Sequence, residues 1–251
     1  MGRPVTEFIL RSEDHRYTFE GQTYPGVTSI VKILDKSGPM MSWAARMTAE
    51  AAVRMSGTLP QLIENVGPEG AVKALTARGA WERDTAAALG TDVHRIADII
   101  ATGQPVPPMA EATMKRVDHY LRWWTSSGWT VRASEALLVN PGVGYGGTLD
   151  ILARDREGRT VLADYKTGNV AYQGRLYPEI LMQLAAYGMA SFMDTGDGAL
   201  YTMPEIDRYA VLHITADGCE EMEARIGKAE REAFRHCLAL VRWRDGLRGE
   251  R

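Results

Sequence analysis

Two apolar segments joined by a short charged turn constrain the fold of this chain more than any other feature. The first segment, residues 146–150, ends in an acid, and the second, residues 161–168, contains the triplet Asp-Tyr-Lys. Between them, residues 155–159 (Asp-Arg-Glu-Gly-Arg) have the composition of a turn. The pattern predicts a β-hairpin that carries charged side chains.

The charged residues of this hairpin are expected to meet on one side. Side chains alternate between the two faces of a strand, so Asp164 and Lys166 share a face while Tyr165 points the other way. Asp150 and Asp164 would then converge beside an amine. Like charges held together raise each other's pKa, and a divalent cation would remove that penalty. The alternative is a surface ion pair between Asp164 and Lys166.

The hairpin resembles that of the PD-(D/E)XK nuclease superfamily, in particular its RecB-like branch. In those proteins an acid after a Gly-rich strand and a (D/E)-x-K on the next strand hold the metal, and Asp150, Asp164 and Lys166 match these positions. Leu149 stands where the family often has a proline.

Two further motifs of the branch are present in the family's order. Residues 90–94 read Gly-Thr-Asp-Val-His, and residues 183–187 read Gln-Leu-Ala-Ala-Tyr. The resemblance therefore covers roughly residues 90–190. The N-terminal part, with a hairpin predicted over residues 17–25, is similar to the front end of RecB-like proteins of bacteriophages.

The resemblance implies a metal site and a set of catalytic residues. The implied metal ligands are His94, Asp150, Asp164 and the backbone carbonyl of Tyr165, and the implied catalytic residues are Asp150, Asp164, Lys166, Gln183 and Tyr187. Glu135 is a further candidate, because RecB-like proteins often have an acid in the first strand of the sheet. Oxygen ligands suit one or two Mg²⁺ or Mn²⁺ ions, and an imidazole ligand is better tolerated by Mn²⁺. Lys166 should stay protonated between two acids.

Several of these residues also have ordinary structural interpretations. His94 lies within a helix predicted over residues 81–101, where a histidine is usually packed or hydrogen-bonded. Gln183 and Tyr187, four residues apart on a helix, share a face and would otherwise be interface residues. Glu135 would otherwise be a solvated strand residue.

We expect an α/β protein with a restriction-endonuclease-like central mixed sheet, flanked by helices and preceded by a helical elaboration. With 251 residues and 45% hydrophobic content the chain can bury one sizeable core. The predicted organisation is a single domain over residues 1–251, comprising a mainly helical wall (25–128), a sheet core with the catalytic hairpin (129–215) and a C-terminal helix (217–248). Within the core, the pattern predicts strands over 129–139, 199–203 and 209–214 and a helix over 175–192.

Composition excludes some classes of protein. Two cysteines, Cys219 and Cys237, cannot supply the four thiolates of an iron–sulfur cluster, so none is expected. A net charge of -3 does not by itself indicate a nucleic-acid binder. No apolar run approaches the ~20 residues of a membrane span, and residues 1–4 lead into no signal-peptide core. We therefore expect a cytoplasmic protein of a bacterium or a phage-infected cell, without a membrane partner.

The function that the resemblance implies is metal-dependent hydrolysis of DNA by an exonuclease of recombination, repair or replication. The alternatives are a structure-specific endonuclease of the same fold and a catalytically silent subunit that binds DNA ends. The expected partner is DNA with a free end. The chain lacks a G-x-x-x-x-G-K-[ST] phosphate loop, so an unwinding motor would have to be a separate helicase or recombination partner.

Overall fold

The predicted hairpin is present and forms part of a five-stranded sheet. In a computed structural model, which describes residues 8–34 and 37–249, Ile151–Arg154 and Thr160–Lys166 are paired antiparallel strands. The turn between them is stabilised by Asp155, whose carboxylate accepts the backbone N–H groups of Glu157 and Arg159 at 3.1 and 2.9 Å. Residues 1–4, read above for a signal sequence, lie outside the described residues.

The described residues form fourteen strands and six helices, with four of the helices in succession between β3 and β4. In chain order the elements are β1 (Leu10–Arg11), β2 (Arg16–Phe19), β3 (Gln22–Pro25), α1 (Val27–Val31), α2 (Ser37–Arg54), α3 (Leu59–Ala101), α4 (Glu111–Ser127), β4 (Thr130–Ser134), β5 (Leu137–Asn140), β6 (Tyr145–Thr148), β7 (Ile151–Arg154), β8 (Thr160–Lys166), β9 (Ala171–Tyr172), β10 (Arg175–Leu176), α5 (Pro178–Gly188), β11 (Phe192–Asp194), β12 (Leu200–Thr202), β13 (Arg208–Ile214), β14 (Cys219–Ala224) and α6 (Lys228–Gly249).

Internal contacts divide the chain into two compact units. The first combines Met1–Leu34 with Asp92–Arg251, and the second is Asp35–Thr91. The second unit is helical and includes an ion pair between Arg54 and Glu82 at 2.7 Å. Its α3 segment is kinked at Gly67, where φ is 74°. The kink lies at a Gly-Pro pair, Gly67 and Pro68, a combination that commonly interrupts a helix.

The main sheet of the first unit is mixed. Its strand order is β14-β13-β8-β7-β4, with β8 and β13 parallel and the other neighbours antiparallel. Strand β8 is central, and its residues 161–165 are all buried, as expected when both faces of a sheet are covered. Helix α4 packs against β13 and β14, while α5 packs against β8. The molecule is therefore a mixed α/β protein, as the sequence predicted at that level.

The predicted single strand over residues 129–139 is wrong, because the chain changes sheets within it. Glu135 adopts a left-handed conformation with φ of 49°, which ends one strand and redirects the next. Strand β4 joins the main sheet, whereas β5 joins a second, four-stranded antiparallel sheet of order β12-β11-β5-β6. A left-handed glutamate is not visible in a hydrophobicity pattern.

The helix predicted over residues 175–192 is also too long. Helix α5 covers only the middle of that range, since Arg175 pairs with Tyr172 in a small hairpin and Phe192 pairs with Val139 in a sheet. Pro178 opens the helix, where its missing N–H costs nothing.

The C-terminal helix predicted over residues 217–248 begins later than expected. Asp217 does not cap it, because residues 215–218 form a tight turn in which the Thr215 N–H donates to the carbonyl of Gly218 at 2.8 Å. The following residues form β14, which pairs in register with β13 from Ile214 and Cys219 onward. The β14 sequence, Cys-Glu-Glu-Met-Glu-Ala, fits either a strand edge or a helix, and pairing with β13 decides in favour of the strand.

None of the helices in the described part of the chain combines the length and apolar character that crossing a membrane requires.

Candidate functional site

The two acids of the hairpin lie opposite each other at one end of it. Ile151 pairs with Ala163, so Asp150, just before β7, faces Asp164 on β8. Asp164 is fully buried. One carboxylate oxygen of Asp150 accepts the backbone N–H of Tyr165 at 2.7 Å. The predicted convergence is therefore produced by strand register together with a backbone hydrogen bond that fixes the Asp150 carboxylate.

Alternation along β8 places its three site residues as expected. Lys166 forms a close ion pair with Asp164 on one face. Tyr165 points to the other face, where its hydroxyl lies 2.9 Å from that of Tyr120 on α4 and the two rings meet edge to face. The Tyr120–Tyr165 contact anchors β8 from behind, so the acid and the amine are held on a strand that is packed on both sides.

Asp164 and Lys166 are oppositely charged groups in a buried site, and each shifts the pKa of the other. Burial raises the pKa of Asp164, the ammonium of Lys166 opposes that rise, and repulsion from Asp150 adds to it. Burial alone would lower the pKa of Lys166, but the charges of Asp164 and Asp150 outweigh burial and raise it. Lys166 is therefore a protonated cation at neutral pH, and further positive charge would stabilise the ionised form of Asp164.

His94 reaches this site from α3. Its Nδ1 lies 3.6 Å from a carboxylate oxygen of Asp150, and its ring meets that of Tyr165 edge to face at 5.7 Å. Burial lowers the pKa of His94, and the positive charge of Lys166 lowers it further. The negative charge of Asp150 and a hydrogen bond to the Tyr165 carbonyl raise it by less. The imidazole is therefore neutral near pH 7, and it lies beside both the Asp150 carboxylate and the Tyr165 carbonyl.

Gln183 connects helix α5 to the charged pair. Its amide nitrogen donates to Asp164 at 2.8 Å, and its amide oxygen is 3.5 Å from the Lys166 ammonium. The same amide nitrogen donates to the hydroxyl of Tyr187 at 2.9 Å. Tyr187 is buried and lies behind Gln183. Both residues thus face the hairpin, with Gln183 touching the charged pair and Tyr187 supporting Gln183.

Gly147 explains how Tyr187 comes so close to the sheet. A β-carbon at Gly147 would lie 2.8 Å from the Tyr187 ring, nearer than side chains normally approach one another. The glycine of the Gly-rich strand therefore admits the tyrosine that supports Gln183.

Glu135 lies at the left-handed bend between β4 and β5. Its backbone N–H donates to the carbonyl of Asp150 at 3.1 Å, which ties the bend to the first acid of the site. The side chain is accessible to solvent, yet partial burial, with repulsion from Asp150 and Asp98, raises its pKa to about 7. A strained, non-glycine backbone next to a cluster of acids is typical of functional sites.

Sequence reasoning left two neighbours out of the site. Asp98, one helical turn after His94, is close enough to raise the pKa of Glu135. Arg11 on β1 has the opposite effect on Glu135. The spacing of Asp98 from His94 was a usable signal, whereas nothing in the sequence around Arg11 indicated its position.

The donor atoms suit a hard divalent cation, although they are not arranged as a ready-made ligand cluster. Among the described residues, no group of three or more His, Cys, Asp or Glu side chains has a metal-binding arrangement. One oxygen of Asp164 is buried and has no hydrogen bond besides its ion pair with Lys166. Two opposed carboxylates, a carbonyl and a neutral imidazole are ligands that Mn²⁺ and Mg²⁺ accept. The residues present fit such an ion.

Comparisons with known proteins do not identify a family. No family model matches this chain, and no curated protein matches it. Among solved structures, the crystal structure of SSO0001 matches with 16% identity, covering 61% of this chain and 74% of that chain, with a TM-score of 0.31. A similarity this weak carries no argument about fold or function.

Proposed function

We propose that this protein is a metal-dependent deoxyribonuclease with a restriction-endonuclease-like fold of the PD-(D/E)XK type, and that it acts as an exonuclease. The observation that carries the proposal is the arrangement of Asp150, Asp164 and Lys166. Two carboxylates oppose each other at the end of a central hairpin, and a protonated amine lies on the same strand face. In metal-dependent phosphodiester hydrolysis, carboxylates can hold the metal ion and a fixed cation can stabilise the charge that develops on the phosphoryl group.

The protein's own groups have distinct roles in this proposal. Asp150 and Asp164 would hold one or two divalent ions, with the Tyr165 carbonyl and His94 as further ligands. When bound, such an ion lowers the pKa of a water molecule and neutralises charge on the phosphoryl oxygens. Burial keeps His94 neutral, which leaves a ring nitrogen able to act as a ligand.

Lys166 supplies positive charge rather than basicity. Because its pKa is raised by Asp164 and Asp150, the ammonium keeps its proton and stabilises the negative charge that develops on the phosphoryl group. Gln183 holds Asp164 and lies within reach of Lys166, so it fixes the position of both. Tyr187 is a positioning residue, because its contact with the charged pair passes through Gln183.

Glu135 is a candidate for moving a proton. A group with a pKa of about 7 can both accept and release a proton near neutral pH. Its backbone is joined to Asp150, so the side chain stays close to the acids. In the proposed reaction Glu135 would exchange a proton with site water.

The proposal that DNA ends are required rests on the sequence. The helical residues before the sheet are far more numerous than a minimal hairpin-and-helix nuclease needs, and the proposal is that this elaboration goes with a requirement for a free end. Unwinding would fall to a helicase or recombination partner, since the chain has no phosphate loop of its own. The proposed setting is the cytoplasm of a bacterium or of a phage-infected cell.

The decisive assay compares linear and covalently closed circular DNA of the same sequence, single- and double-stranded. Cleavage should require Mn²⁺ or Mg²⁺, stop with EDTA and release short products from linear DNA only. Equal cutting of closed circles would replace the exonuclease proposal with an endonuclease. Metal-dependent binding of ends without any cleavage would indicate a silent end-binding subunit.

A further inference from the structure

A small exposed hairpin follows the catalytic strand directly. Strands β9 and β10 begin five residues after Lys166 and end just before α5, the helix that carries Gln183. Arg175 pairs with Tyr172, and Leu176 pairs with Ala171. The hairpin therefore lies in the chain between the two elements that hold the charged site.

The base of this hairpin is fixed to the core. Val170 is buried, and its carbonyl accepts the backbone N–H of Tyr177 at 2.9 Å, which closes the hairpin at its base. Just before it, the carbonyl of Gly168 lies 2.9 Å from the ring nitrogen of His213, the residue that pairs with Lys166 on the neighbouring strand. The base of the hairpin is thus held in position relative to Lys166.

The tip of the hairpin carries an unusual exposed pair. The side chain of Tyr172 is 68% exposed, and Arg175, directly across from it, is also exposed. Directly opposed residues in an antiparallel pair project from the same face of the ribbon, with β-carbons about 5 Å apart. An aromatic ring and a guanidinium group therefore stand side by side in solvent.

The turn at the tip keeps this pair in place. Its two residues, Gln173 and Gly174, both have positive φ, at 49° and 75°. That is the two-residue turn whose twist matches the twist of paired strands. The turn thus favours one backbone geometry for the ring and the cation.

We infer that the β9–β10 hairpin binds single-stranded DNA at the mouth of the proposed nuclease site, with Tyr172 stacking on an unpaired base and Arg175 contacting a neighbouring phosphate. The inference rests on the proposed function. Stacking on an exposed ring tolerates any base, because every base has a π-face. An adjacent guanidinium supplies the backbone contact that single-strand binding also requires. The hairpin would bias the enzyme toward unpaired DNA.

The test uses fluorescent single-stranded oligonucleotides in which one nucleotide at a time is abasic. Binding is measured by anisotropy in EDTA, and cleavage is measured in Mn²⁺. Tyr172→Ala should weaken binding of the intact oligonucleotide roughly 10-fold, the order of one stacked base, and raise KM more than it lowers kcat. Tyr172→Phe, which keeps the ring, should behave like the wild-type protein.

The abasic series separates stacking from a general surface effect. When the abasic site is at the stacked position, the oligonucleotide should bind the wild-type protein as weakly as the intact oligonucleotide binds Tyr172→Ala. Removing the base and the Tyr172 ring together should weaken binding no further than removing either one. Arg175→Ala should reduce the salt dependence of binding by about one phosphate contact. The matched control is Trp243→Ala, which removes an equally exposed aromatic, 67% accessible, from the last helix.

Each outcome is decisive. If the wild-type protein cuts single-stranded DNA and Tyr172→Ala binds as Trp243→Ala does, the hairpin inference fails while the proposed function stands. Additive losses across the whole abasic series would also overturn stacking at Tyr172. If the wild-type protein neither binds nor cuts DNA, the proposed function fails and the hairpin inference fails with it.

Discussion

The hairpins β7–β8 and β9–β10 are neighbours in the chain, yet they are built in opposite ways. The first is part of a five-stranded sheet, and its second strand is buried from Val161 to Tyr165. The second has strands of two residues each and an exposed tip. Charges that must converge need a strand whose position is fixed by neighbours on both sides. A contact for a variable ligand needs accessible side chains on a fixed base.

The largest expected effect comes from removing the charges of the buried hairpin. Asp150→Asn, Asp164→Asn and Lys166→Ala should each reduce cleavage on the order of 1,000-fold or more. The two carboxylates would hold the metal ion, and the Lys166 ammonium would stabilise the negative charge that develops on the phosphoryl group. Asp118→Asn, which makes the same change at an exposed position of α4, is the control. Turnover is measured on protein whose circular dichroism and melting temperature are checked. Cleavage by either hairpin Asn variant at the level of Asp118→Asn would remove these residues from the site.

The next effect tests the chain of contacts behind the charged pair. Gln183→Ala should lower turnover by roughly 10- to 100-fold, because it removes a hydrogen bond to a charged, buried carboxylate. Tyr187→Phe should lower it less, and the double variant should resemble Gln183→Ala alone, because Tyr187 acts through Gln183. The measurement is a double-mutant cycle on kcat, with melting temperatures alongside. Fully additive losses would mean that Tyr187 acts independently.

Removing the imidazole of His94 should weaken metal binding by about the same factor as Gln183→Ala lowers turnover. His94→Ala should weaken metal binding roughly 10- to 100-fold, in line with typical losses around metal sites. The loss should be larger for Mn²⁺ than for Mg²⁺, because imidazole favours the softer ion. Calorimetric titration with each metal provides the measurement. Identical titration curves for the variant and the wild-type protein would make His94 a structural residue.

The smallest effects concern stability and separate the two hairpins. Asp155→Ala should lower the free energy of unfolding by about 1–3 kcal/mol at pH 7. The Asp155 carboxylate, in the β7–β8 turn, accepts hydrogen bonds from Arg159 of the same turn and from Arg208 of β13. Tyr172→Ala should change the free energy of unfolding by no more than about 0.5 kcal/mol. Urea unfolding of both variants checks the contrast. Equal destabilisation would show that the exposed hairpin is structural.

The Asp155 effect should also depend on pH in a defined direction. Burial raises the pKa of Asp155, but hydrogen bonds from Arg159 and Arg208 outweigh burial and lower that pKa below its ordinary value. A carboxyl group with a lowered pKa stabilises the fold above the ordinary pKa of aspartate, about 4, and loses that contribution as it is protonated at lower pH. The gap between wild type and Asp155→Ala should therefore be full at pH 7 and close in acid. A gap that widened in acid would contradict this assignment.

The comparison of the hairpins also shows what the sequence could predict. Alternation, a turn-like segment and two acids were local signals, so the β7–β8 hairpin and the shared face of Asp164 and Lys166 could be predicted. Strand β10 falls inside the helix predicted over residues 175–192, and β9 was not predicted, since strands of two residues have no periodicity. Strand β14 was assigned to a helix as well, because its pairing with β13 is a tertiary contact.

The site shows the same division between local and tertiary information. Gln183 and Tyr187 could be predicted to share a face from their spacing on one helix. Their order, with Gln183 on the charged pair and Tyr187 behind it, depends on the close approach allowed by Gly147. Glu135 was a candidate, but its left-handed bend and its contact with Asp150 were outside the reach of any sequence pattern.

The most direct test of the central claim is a Mn²⁺ titration followed by electron paramagnetic resonance, without DNA. We predict that the wild-type protein and Asp118→Asn bind Mn²⁺ alike and that the double variant Asp150→Asn/Asp164→Asn does not bind it at the same concentrations. The double variant must keep the wild-type circular dichroism spectrum for the comparison to count. Equal Mn²⁺ binding by the double variant and the wild-type protein would contradict the claim that the opposed carboxylates of the β7–β8 hairpin form the metal site.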